Sequence, residues 1–399
     1  MKLSKRIMET QSSPIRKFYV YSREAEAKGK KVYYLNIGQP DIKTPDVFFD
    51  AVKNFSQDVL AYAGSEGVPE LIDAIRDYYK RYGMNYERDE VLITNGGSEA
   101  ITFIMSAILD PGDNVLMAEP FYTNYNTFVK MAGGEVKPIP TSPEDGYKYA
   151  YKERIEALID DKTRAIVAVN PGNPTGTVLS KEEIEMICDI AIERDLFIIA
   201  DEVYREFVYD GLPMSSFGMV EKAVQNVIIT DSISKRFSAC GARIGCVISK
   251  NKDLMGHILN LCQGRLCCPT LDQVGAAALY KLPESYFNAT KVEYENRRDA
   301  VYAELSKIDG IVCEKPSGAF YITAKLPVEN AEDFLIFLLT EYDDNGETVM
   351  FAPAEGFYAT PGMGRSEMRI AYVLDAKDMV RGVEIIRKGI DAYKAKGGK

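Results

Sequence analysis

The chain has 399 residues, more than one hydrophobic core usually serves, so two domains are expected. Its 48 basic and 59 acidic residues give a formal net charge of −11, which argues against nucleic acid or an anionic membrane surface as the main partner. No apolar run approaches the roughly 20 residues that a membrane-spanning helix needs. The basic N-terminus lacks the apolar core of a secretory signal, and the seven cysteines form no regular framework. A cytoplasmic protein with reduced thiols is therefore expected.

The residue inventory limits the chemistry. The single histidine, His257, lies in KDLMGHILNLC, a pattern typical of an amphipathic helix, and a surface or packing role is favoured over a catalytic one. Cys262, Cys267 and Cys268 lack the spacing of zinc ligands and are interpreted as buried small apolar residues. No metal site is expected, and any proton carrier should be a lysine, a tyrosine or a carboxylate.

Short apolar runs alternate with helical patterns between residues 70 and 280. Ser180 and Glu183 form a capping box at the start of one of these helices. Strands separated by helices indicate a mostly parallel sheet covered on both faces. The predicted strands are VLIT (91–94), NVLMA (114–118), AIVAV (165–169), LFIIA (196–200) and VIIT (227–230), with GCVIS (245–249) as an antiparallel strand.

The pattern changes after residue 285 to a long charged helix, a strand-like GAFYITAKL, and final helices with a strand around MRIAYVL. We therefore expect residues 46–285 to form a large α/β domain. Residues 1–45 together with 286–399 should form a smaller α+β domain. The terminal KAKGGK is expected to be disordered.

Polar clusters follow five of the predicted strands, and ligands of open α/β sheets bind at the carboxyl ends of strands. Gly96, Gly97 and Ser98 open a helix, whose free N–H groups suit an anion, although taken alone a plain strand-to-helix turn is the more frequent explanation. Ser232 and Arg243 add donors suited to a phosphate; the alternative for Arg243 is an ordinary surface arginine. The five loops should meet at one ligand.

Further candidates have simpler alternatives of their own. Asp201 follows a buried strand, where it needs a cation or a hydrogen-bond donor, unless it only caps a helix. Asn173 lies in NPGNPTG, which is also a turn sequence. Tyr122 and Tyr204 offer an aromatic face and a hydroxyl, although core packing explains most tyrosines.

Lys235 completes the set. It follows VIIT and lies near Arg236 and Arg243 in the chain, where neighbouring cations and partial burial should lower its pKa and make it a better nucleophile. Together these groups suit a planar, phosphorylated, cationic heteroaromatic aldehyde that forms a Schiff base with Lys235. Its ring nitrogen would face Asp201, and its ring oxygen would face Asn173 and Tyr204. Pyridoxal 5'-phosphate is such a cofactor.

The motifs NPGNPTG, ADEVY and SISKRFSACGARIG resemble, in order and spacing, those of the class I/II aminotransferases of fold type I, which depend on pyridoxal phosphate and include aspartate aminotransferase. The resemblance runs from about Asn36 to Tyr372. It implies an α/β fold with a mostly parallel mixed sheet in the large domain, a smaller α+β domain, and a homodimer with composite active sites. Many relatives have tryptophan over the cofactor ring; this chain has none, and Tyr122 takes that place.

The resemblance also implies roles for residues outside the five loops. Gly38, in NIGQPDIKTP, would offer a backbone N–H to the substrate carboxylate, and Arg369, in EMRIAYV, would bind the α-carboxylate. Tyr62 would reach the cofactor phosphate of the neighbouring subunit. Arg265, in CQGRLCCPT, is the candidate for a second, distal carboxylate, with a structural interface contact as the equal alternative. Ala354 follows Pro353 where relatives often have Pro-Gly.

The leading hypothesis is an aminotransferase that moves the amino group of an L-amino acid, with aspartate favoured, to a 2-oxo acid such as 2-oxoglutarate. Lys235 would act as base and then acid, while Asp201 keeps the ring nitrogen protonated. The alternatives are an aromatic amino acid or alanine as donor, and a β-eliminating lyase that uses the same cofactor on the same fold. A non-catalytic phosphate- or nucleotide-binding protein would leave Lys235, Asp201 and Asn173 without a joint purpose.

Overall fold

The computed structural model describes residues 1–8 and 10–398. The strands are β1 (Lys31–Tyr34), β2 (Val91–Thr94), β3 (Asn114–Ala118), β4 (Glu135–Ile139), β5 (Thr163–Val169), β6 (Phe197–Asp201), β7 (Val227–Ser232), β8 (Gly245–Ile248), β9 (Tyr321–Lys325), β10 (Glu347–Met350), β11 (Ala352–Pro353) and β12 (Glu367–Ala371). The α-helices are α1 (Lys5–Met8), α2 (Tyr19–Ala27), α3 (Asp46–Lys53), α4 (Pro69–Lys80), α5 (Gly96–Ile108), α6 (Asn124–Ala132), α7 (Lys152–Glu156), α8 (Lys181–Glu193), α9 (Ile233–Arg236), α10 (Lys252–Arg265), α11 (Thr270–Leu279), α12 (Glu284–Leu305), α13 (Ala331–Thr340) and α14 (Ala376–Ala395).

A seven-stranded sheet in the order β2-β8-β7-β6-β5-β3-β4 forms the centre of the fold. Strand β8 is antiparallel to both of its neighbours, and the remaining pairs are parallel. All residues of β2, β7 and β8 are buried, because apolar clusters cover both faces of the sheet. The predicted fold class is confirmed, and GCVIS is the antiparallel strand that the sequence indicated.

Strand β4 was missed in the sequence because EVKPI reads as mixed and contains a proline. The structure gives the reason: β4 lies at the edge of the sheet and pairs only with β3. Pro138 has no N–H to donate, which an edge strand tolerates. Burial on one side alone also removes the need for a continuous apolar run.

Two smaller sheets, β1-β10 and β11-β12-β9, combine a strand from the N-terminal 40 residues with strands from the C-terminal part of the chain. Their core joins residues from the N-terminal 40 with residues beyond 290, including Phe18, Leu35, Phe320 and Ile386. Residues of the 204–209 segment also belong to that core, so the cores meet next to the large sheet. Boundaries at 45/46 and 285/286 stay a prediction.

Ser180 accepts a hydrogen bond from the N–H of Glu183 and completes the capping box of α8. His257 is exposed on α10, as expected. Cys262 and Cys268 are buried, whereas Cys267 is only partly buried, which corrects its interpretation as a core residue.

Helix α14 extends to Ala395, so the first two residues of the predicted disordered tail are helical, while Lys399 lies outside the described residues. None of the helices in the described part of the chain combines the length and the apolar character that a membrane crossing requires.

A buried carboxylate joins the loop after β3 to the segment before β12. Glu119 is 2% exposed and accepts hydrogen bonds from the N–H groups of Ala359 and Thr360, at 3.1 and 3.0 Å, and from the Thr360 hydroxyl at 2.7 Å. The joined segments lead to Tyr122 on one side and to Arg369 on the other. Glu119 therefore fixes the relative position of two residues that the sequence assigned to one site.

We expect Glu119→Gln to lower the free energy of unfolding by about 2 kcal/mol, because an amide nitrogen cannot accept the hydrogen bonds that a carboxylate oxygen accepts. Chemical denaturation of the variant and the wild-type chain measures this difference. Glu135→Gln, at an exposed position of β4, is the control and should change stability by less than about 0.5 kcal/mol. Equal effects of both substitutions would contradict the role of Glu119.

Candidate active site

A cavity of about 380 Å³ opens at the carboxyl edge of the seven-stranded sheet. This volume lies in the range of roughly 300–1,000 Å³ that small-molecule sites occupy. All five loops predicted to converge contribute to its wall. They supply Gly97 and Ser98 after β2, Tyr122, Thr123 and Asn124 after β3, Asn173 after β5, Asp201, Val203 and Tyr204 at the end of β6, and Ser232, Ser234 and Lys235 after β7. Other segments supply Arg16, Asn36, Gly38, Cys240, Arg243, Tyr321 and Arg369.

Lys235 enters the cavity from α9, a single turn that begins directly after β7. Its Nζ donates a hydrogen bond to the carbonyl oxygen of Gly38 at 2.8 Å and lies 3.8 Å from Sγ of Cys240. The neighbouring Arg236 is not part of the cavity wall. It is buried against Tyr78, and its Nη2 lies 2.7 Å from Asp231. Arg236 therefore does not present a free positive charge to Lys235, contrary to what their adjacency in the sequence indicated.

One corner of the cavity is built to receive an anion. Helix α5 begins there, so the N–H groups near Gly97 and Ser98 lack helical acceptors. Gly96 has φ +70°, and a Cβ at this position would lie 2.5 Å from Nη2 of Arg243. Arg243 itself has φ +52°, an uncommon conformation for a residue with a side chain. The glycine therefore leaves room for the guanidinium beside the start of the helix.

Asp201 ends β6 and is buried in the cavity wall. Its carboxylate accepts hydrogen bonds from the Tyr125 hydroxyl at 2.9 Å and from the N–H of Val203 at 3.3 Å. Burial raises the pKa of Asp201 to about 6, and these two hydrogen bonds oppose the rise. The chain after Asp201 forms turns rather than the helix that a capping role required. The carboxylate is therefore available to a positively charged group in the cavity.

Arg369 lies on β12, and its side chain forms part of the cavity wall. Its Nη1 donates to Oδ1 of Asn173 at 3.2 Å, and its Nη2 donates to the carbonyl oxygen of Asn36 at 2.5 Å. The guanidinium lies over the rings of Tyr321 and Phe357 at 4.6 and 4.9 Å. Burial lowers the pKa of Arg369 below the usual arginine value.

Arg369 differs from the other buried arginines of the described chain. Arg205, Arg236, Arg297 and Arg298 each have a carboxylate within 3.8 Å. Arg369 has no such partner within residues 1–8 and 10–398, and its Nε has no hydrogen-bond acceptor there. A buried cation without a counter-ion is costly. The cavity is therefore suited to a ligand that brings a carboxylate to Arg369.

Comparison with known proteins identifies the family of this chain. The model of the family described as aminotransferase class I and II matches residues 30–386. The chain belongs to the aminotransferase class I and II family. A probable aspartate/prephenate aminotransferase of Aquifex aeolicus is 31% identical over 394 residues, 98% of each chain.

Solved structures agree with this assignment. An aspartate aminotransferase of Thermus thermophilus with maleate is 27% identical, with a TM-score of 0.87, and the match covers 98% of this chain and 100% of the other. An alanine aminotransferase of Pyrococcus furiosus is 31% identical, with a TM-score of 0.88 and the same coverage. The protein is an aminotransferase of fold type I, as its motifs indicated.

The structure of the aminotransferase places three predicted site residues outside the cavity wall. Gly96 lies immediately behind it, against Arg243. Tyr62 is 80% exposed. Arg265 is largely buried elsewhere, where Nη2 donates to the carbonyl oxygen of Ile93 at 3.0 Å and Nε lies 3.5 Å from Glu99. The roles assigned to Tyr62 and Arg265 stay predictions.

Sequence reasoning missed several residues of the aminotransferase site. The Tyr125 hydroxyl supplies the donor that Asp201 needs, and a second tyrosine three residues after Tyr122 was the available signal. Tyr321 shares a hydrogen bond of 2.8 Å with Tyr204, and a Cβ at Gly38 would overlap the Tyr321 hydroxyl. Tyr321 lies in a run that was read only as a strand, so nothing in its pattern indicated this contact.

The raised pKa of Asp201 predicts a pH dependence of stability in the cofactor-free aminotransferase. A carboxyl group with a higher pKa in the folded state than in the unfolded state stabilises folding when it is protonated. The wild-type chain should therefore lose about 3 kcal/mol, or roughly 3 °C in Tm, relative to Asp201→Asn as the pH rises from 4 through 6 to 8. Differential scanning calorimetry of both chains measures this difference. Parallel Tm profiles of the two chains over that range would show that Asp201 is not destabilised by burial.

Proposed function

We propose that the chain uses pyridoxal 5'-phosphate to transfer the amino group of an L-amino acid, with aspartate favoured, to a 2-oxo acid such as 2-oxoglutarate. The observation that carries this proposal is the position of Arg369, a buried guanidinium without a carboxylate partner, in the same cavity as Lys235. An amino acid that binds its α-carboxylate to Arg369 would bring its α-carbon into the space between these two side chains.

The residues present fit the cofactor that this family uses. The anion corner at α5, with Gly97, Ser98, Ser232 and Arg243, suits a phosphate. The side-chain amide of Asn36 is buried in the wall and makes no hydrogen bond to any residue in the described ranges. Such unpaired groups are expected where a polar ligand completes the site.

Each remaining wall residue has a role toward the cofactor in this proposal. Asp201 would pair with the ring nitrogen, Asn173 and Tyr204 would bind the ring oxygen, and Tyr122 would lie against the ring face. Tyr62, from the neighbouring subunit, would bind the phosphate. When bound, pyridoxal phosphate supplies an aldehyde carbon that links to amines and a ring that accepts electrons from the substrate's α-carbon.

Lys235 would move the proton of the reaction. Its Nζ would take the proton from the α-carbon of the amino acid as a base and return it as an acid. The carbonyl oxygen of Gly38 accepts a hydrogen bond from Nζ at 2.8 Å and holds the side chain in the cavity. The resemblance assigned the N–H of Gly38 to the substrate carboxylate. Its carbonyl oxygen has a second contact, with Lys235. Asp201 would keep the ring nitrogen protonated throughout.

The choice of aspartate has support from the named relatives, since several are aspartate aminotransferases. An alanine aminotransferase of similar identity makes alanine the second candidate donor. An aromatic amino acid is the third candidate, because an aromatic aminotransferase of Pyrococcus horikoshii is 28% identical with a TM-score of 0.83.

The protein is also proposed to be a cytoplasmic homodimer with composite active sites. Val59, Leu60 and Tyr62 are 71%, 60% and 80% exposed, an apolar surface that a second copy would cover. This exposure supports the assignment of Tyr62 to the neighbouring site. All seven cysteines are free, as in a reducing compartment.

The experiment that tests the function compares Lys235→Ala with the wild-type enzyme. We expect the variant to retain the cofactor through its phosphate and ring contacts. Its turnover should fall by much more than the ~10²–10⁴ of one acid–base contribution, because Lys235 acts in several steps. Aspartate and 2-oxoglutarate are supplied, and product formation is followed over time. Lys250→Ala is the control for loss of a lysine outside the cavity and should retain normal turnover; near-normal turnover of Lys235→Ala would disprove the assignment.

Composite sites predict complementation between two impaired chains. Tyr62→Phe and Lys235→Ala are co-expressed with different affinity tags, and the mixed dimer is purified through both tags. One of its sites contains both substitutions and the other contains neither, so we expect activity well above that of either single variant. A mixed dimer no more active than the two parent variants would contradict a shared site.

A further inference from the structure

The cavity wall contains one cationic side chain that has no role in the proposed function. In the described chain, the charged side chains of the wall are Asp201 on the acidic side and Arg16, Lys235, Arg243 and Arg369 on the basic side. Three of the four cations have roles toward the cofactor or the substrate's α-carboxylate. Arg16 has none.

Arg16 is held in place by its neighbours in the chain. Ile15 packs against the cluster of Ala352, Ala354 and Phe357, and Phe18 is buried in the C-terminal core. The next residue, Lys17, is occupied elsewhere, because its Nζ lies 2.6 Å from Glu332. The short 3-10 turn formed by Arg16–Phe18 therefore directs one basic side chain to the cavity and the other away from it.

The guanidinium of Arg16 is unpaired. It makes no ion pair and no hydrogen bond with any residue of the described ranges, and Arg16 is exposed to solvent. Arg369, by contrast, is buried in the depth of the same cavity. A substrate bound to Arg369 by its α-carboxylate would therefore have Arg16 at the open end of the site.

Tyr122 lines the same cavity as Arg16 and Arg369 and is influenced by the charge of each. Burial raises the pKa of the Tyr122 hydroxyl, and the charges of both Arg369 and Arg16 oppose that rise, so both act on the same phenol. Phe357 provides a second connection, because Arg369 lies over its ring at 4.9 Å and Ile15 packs against its cluster. Arg16 and Arg369 thus border the same space beside the ring that is proposed to lie against the cofactor.

We propose that Arg16 binds the side-chain carboxylate of a dicarboxylic substrate, an inference that rests on the proposed function. Guanidinium pairs with carboxylate through two parallel hydrogen bonds, which a neutral side chain such as that of alanine cannot form. Aspartate and 2-oxoglutarate differ by one methylene, and an exposed arginine with no other partner can follow either carboxylate. Arg265, the earlier candidate for this role, does not line the cavity.

The test uses the holoenzyme in a half-reaction, without a 2-oxo acid, so that only one substrate is varied. Bleaching of the cofactor absorbance by aspartate and by alanine gives a second-order rate constant for each amino acid. We expect Arg16→Gln to lower the constant for aspartate about 10- to 100-fold, the loss of a hydrogen-bonded charge pair, and that for alanine less than about threefold. Arg16→Lys should recover part of the loss.

Binding of maleate, measured by calorimetry, is the second readout. Maleate is a dicarboxylate without an amino group, and its affinity should fall by a similar factor in Arg16→Gln. Lys17→Gln is the matched control: it removes a positive charge from the adjacent residue, and it should leave both readouts unchanged. An equal loss for aspartate and alanine, no loss for either, or a selective loss in Arg265→Gln instead of Arg16→Gln would overturn the inference.

The proposed function can be disproved independently of the role of Arg16. A wild-type holoenzyme that no amino acid bleaches would disprove transamination. The maleate affinities of the same proteins would still decide the role of Arg16, since equal affinity in the wild type and in Arg16→Gln rejects it and a selective loss supports it.

Discussion

The common direction of six strands determines where this protein can perform chemistry. Only β8 runs against the others in the seven-stranded sheet, so the carboxyl ends of β2, β3, β5, β6 and β7 lie at one edge. The loops that follow these strands therefore lie close together at this edge. Polar residues that are far apart in the chain, such as Ser98 and Lys235, thus line one cavity, while the middle of the central strands stays apolar and buried.

The convergence has an electrostatic consequence. The fold buries Arg236 and Arg298 with a carboxylate beside each; the Arg236–Asp231 pair is fully buried, and Asp210 beside Arg298 is partly exposed. At the cavity, Arg369 is buried without such a partner and Asp201 is buried without a cation in contact, so both carry a desolvation cost in the free chain. A ligand that offers a cation to Asp201 and a carboxylate to Arg369 offsets both costs. The unpaired Asp201 and Arg369 therefore favour the binding of such a ligand.

The sequence predicted those parts of the fold that depend on local pattern. Strands buried on both faces appear as continuous apolar runs, and the spacing of Ser232, Lys235 and Arg243 placed them in one loop region next to each other. Strands β1, β4 and β10 were missed. β1 and β4 are only partly buried, and β10 is buried but too short to stand out before it pairs with β1 in the folded chain. The contact of Tyr321 with Tyr204 depends on a sheet that begins more than 100 residues later, which no local pattern reports.

The same limit explains Arg16 and Arg236. In the sequence Arg236 is the nearest cation to Lys235, yet one turn of α9 directs it into the core and into contact with Asp231. Arg16 is distant in the chain, yet packing of Ile15 and Phe18 brings it to the cavity. Neighbours in the sequence can thus face different surroundings, because successive side chains of a helix point in different directions.

The central claim is that Lys235 forms the covalent link to pyridoxal phosphate in the cavity. Borohydride reduction of the purified protein, followed by peptide mass spectrometry, tests it directly. The account predicts a phosphopyridoxyl group on the peptide that contains Lys235 and on no other lysine. Labelling at another lysine, or no labelling after incubation with the cofactor, would contradict it.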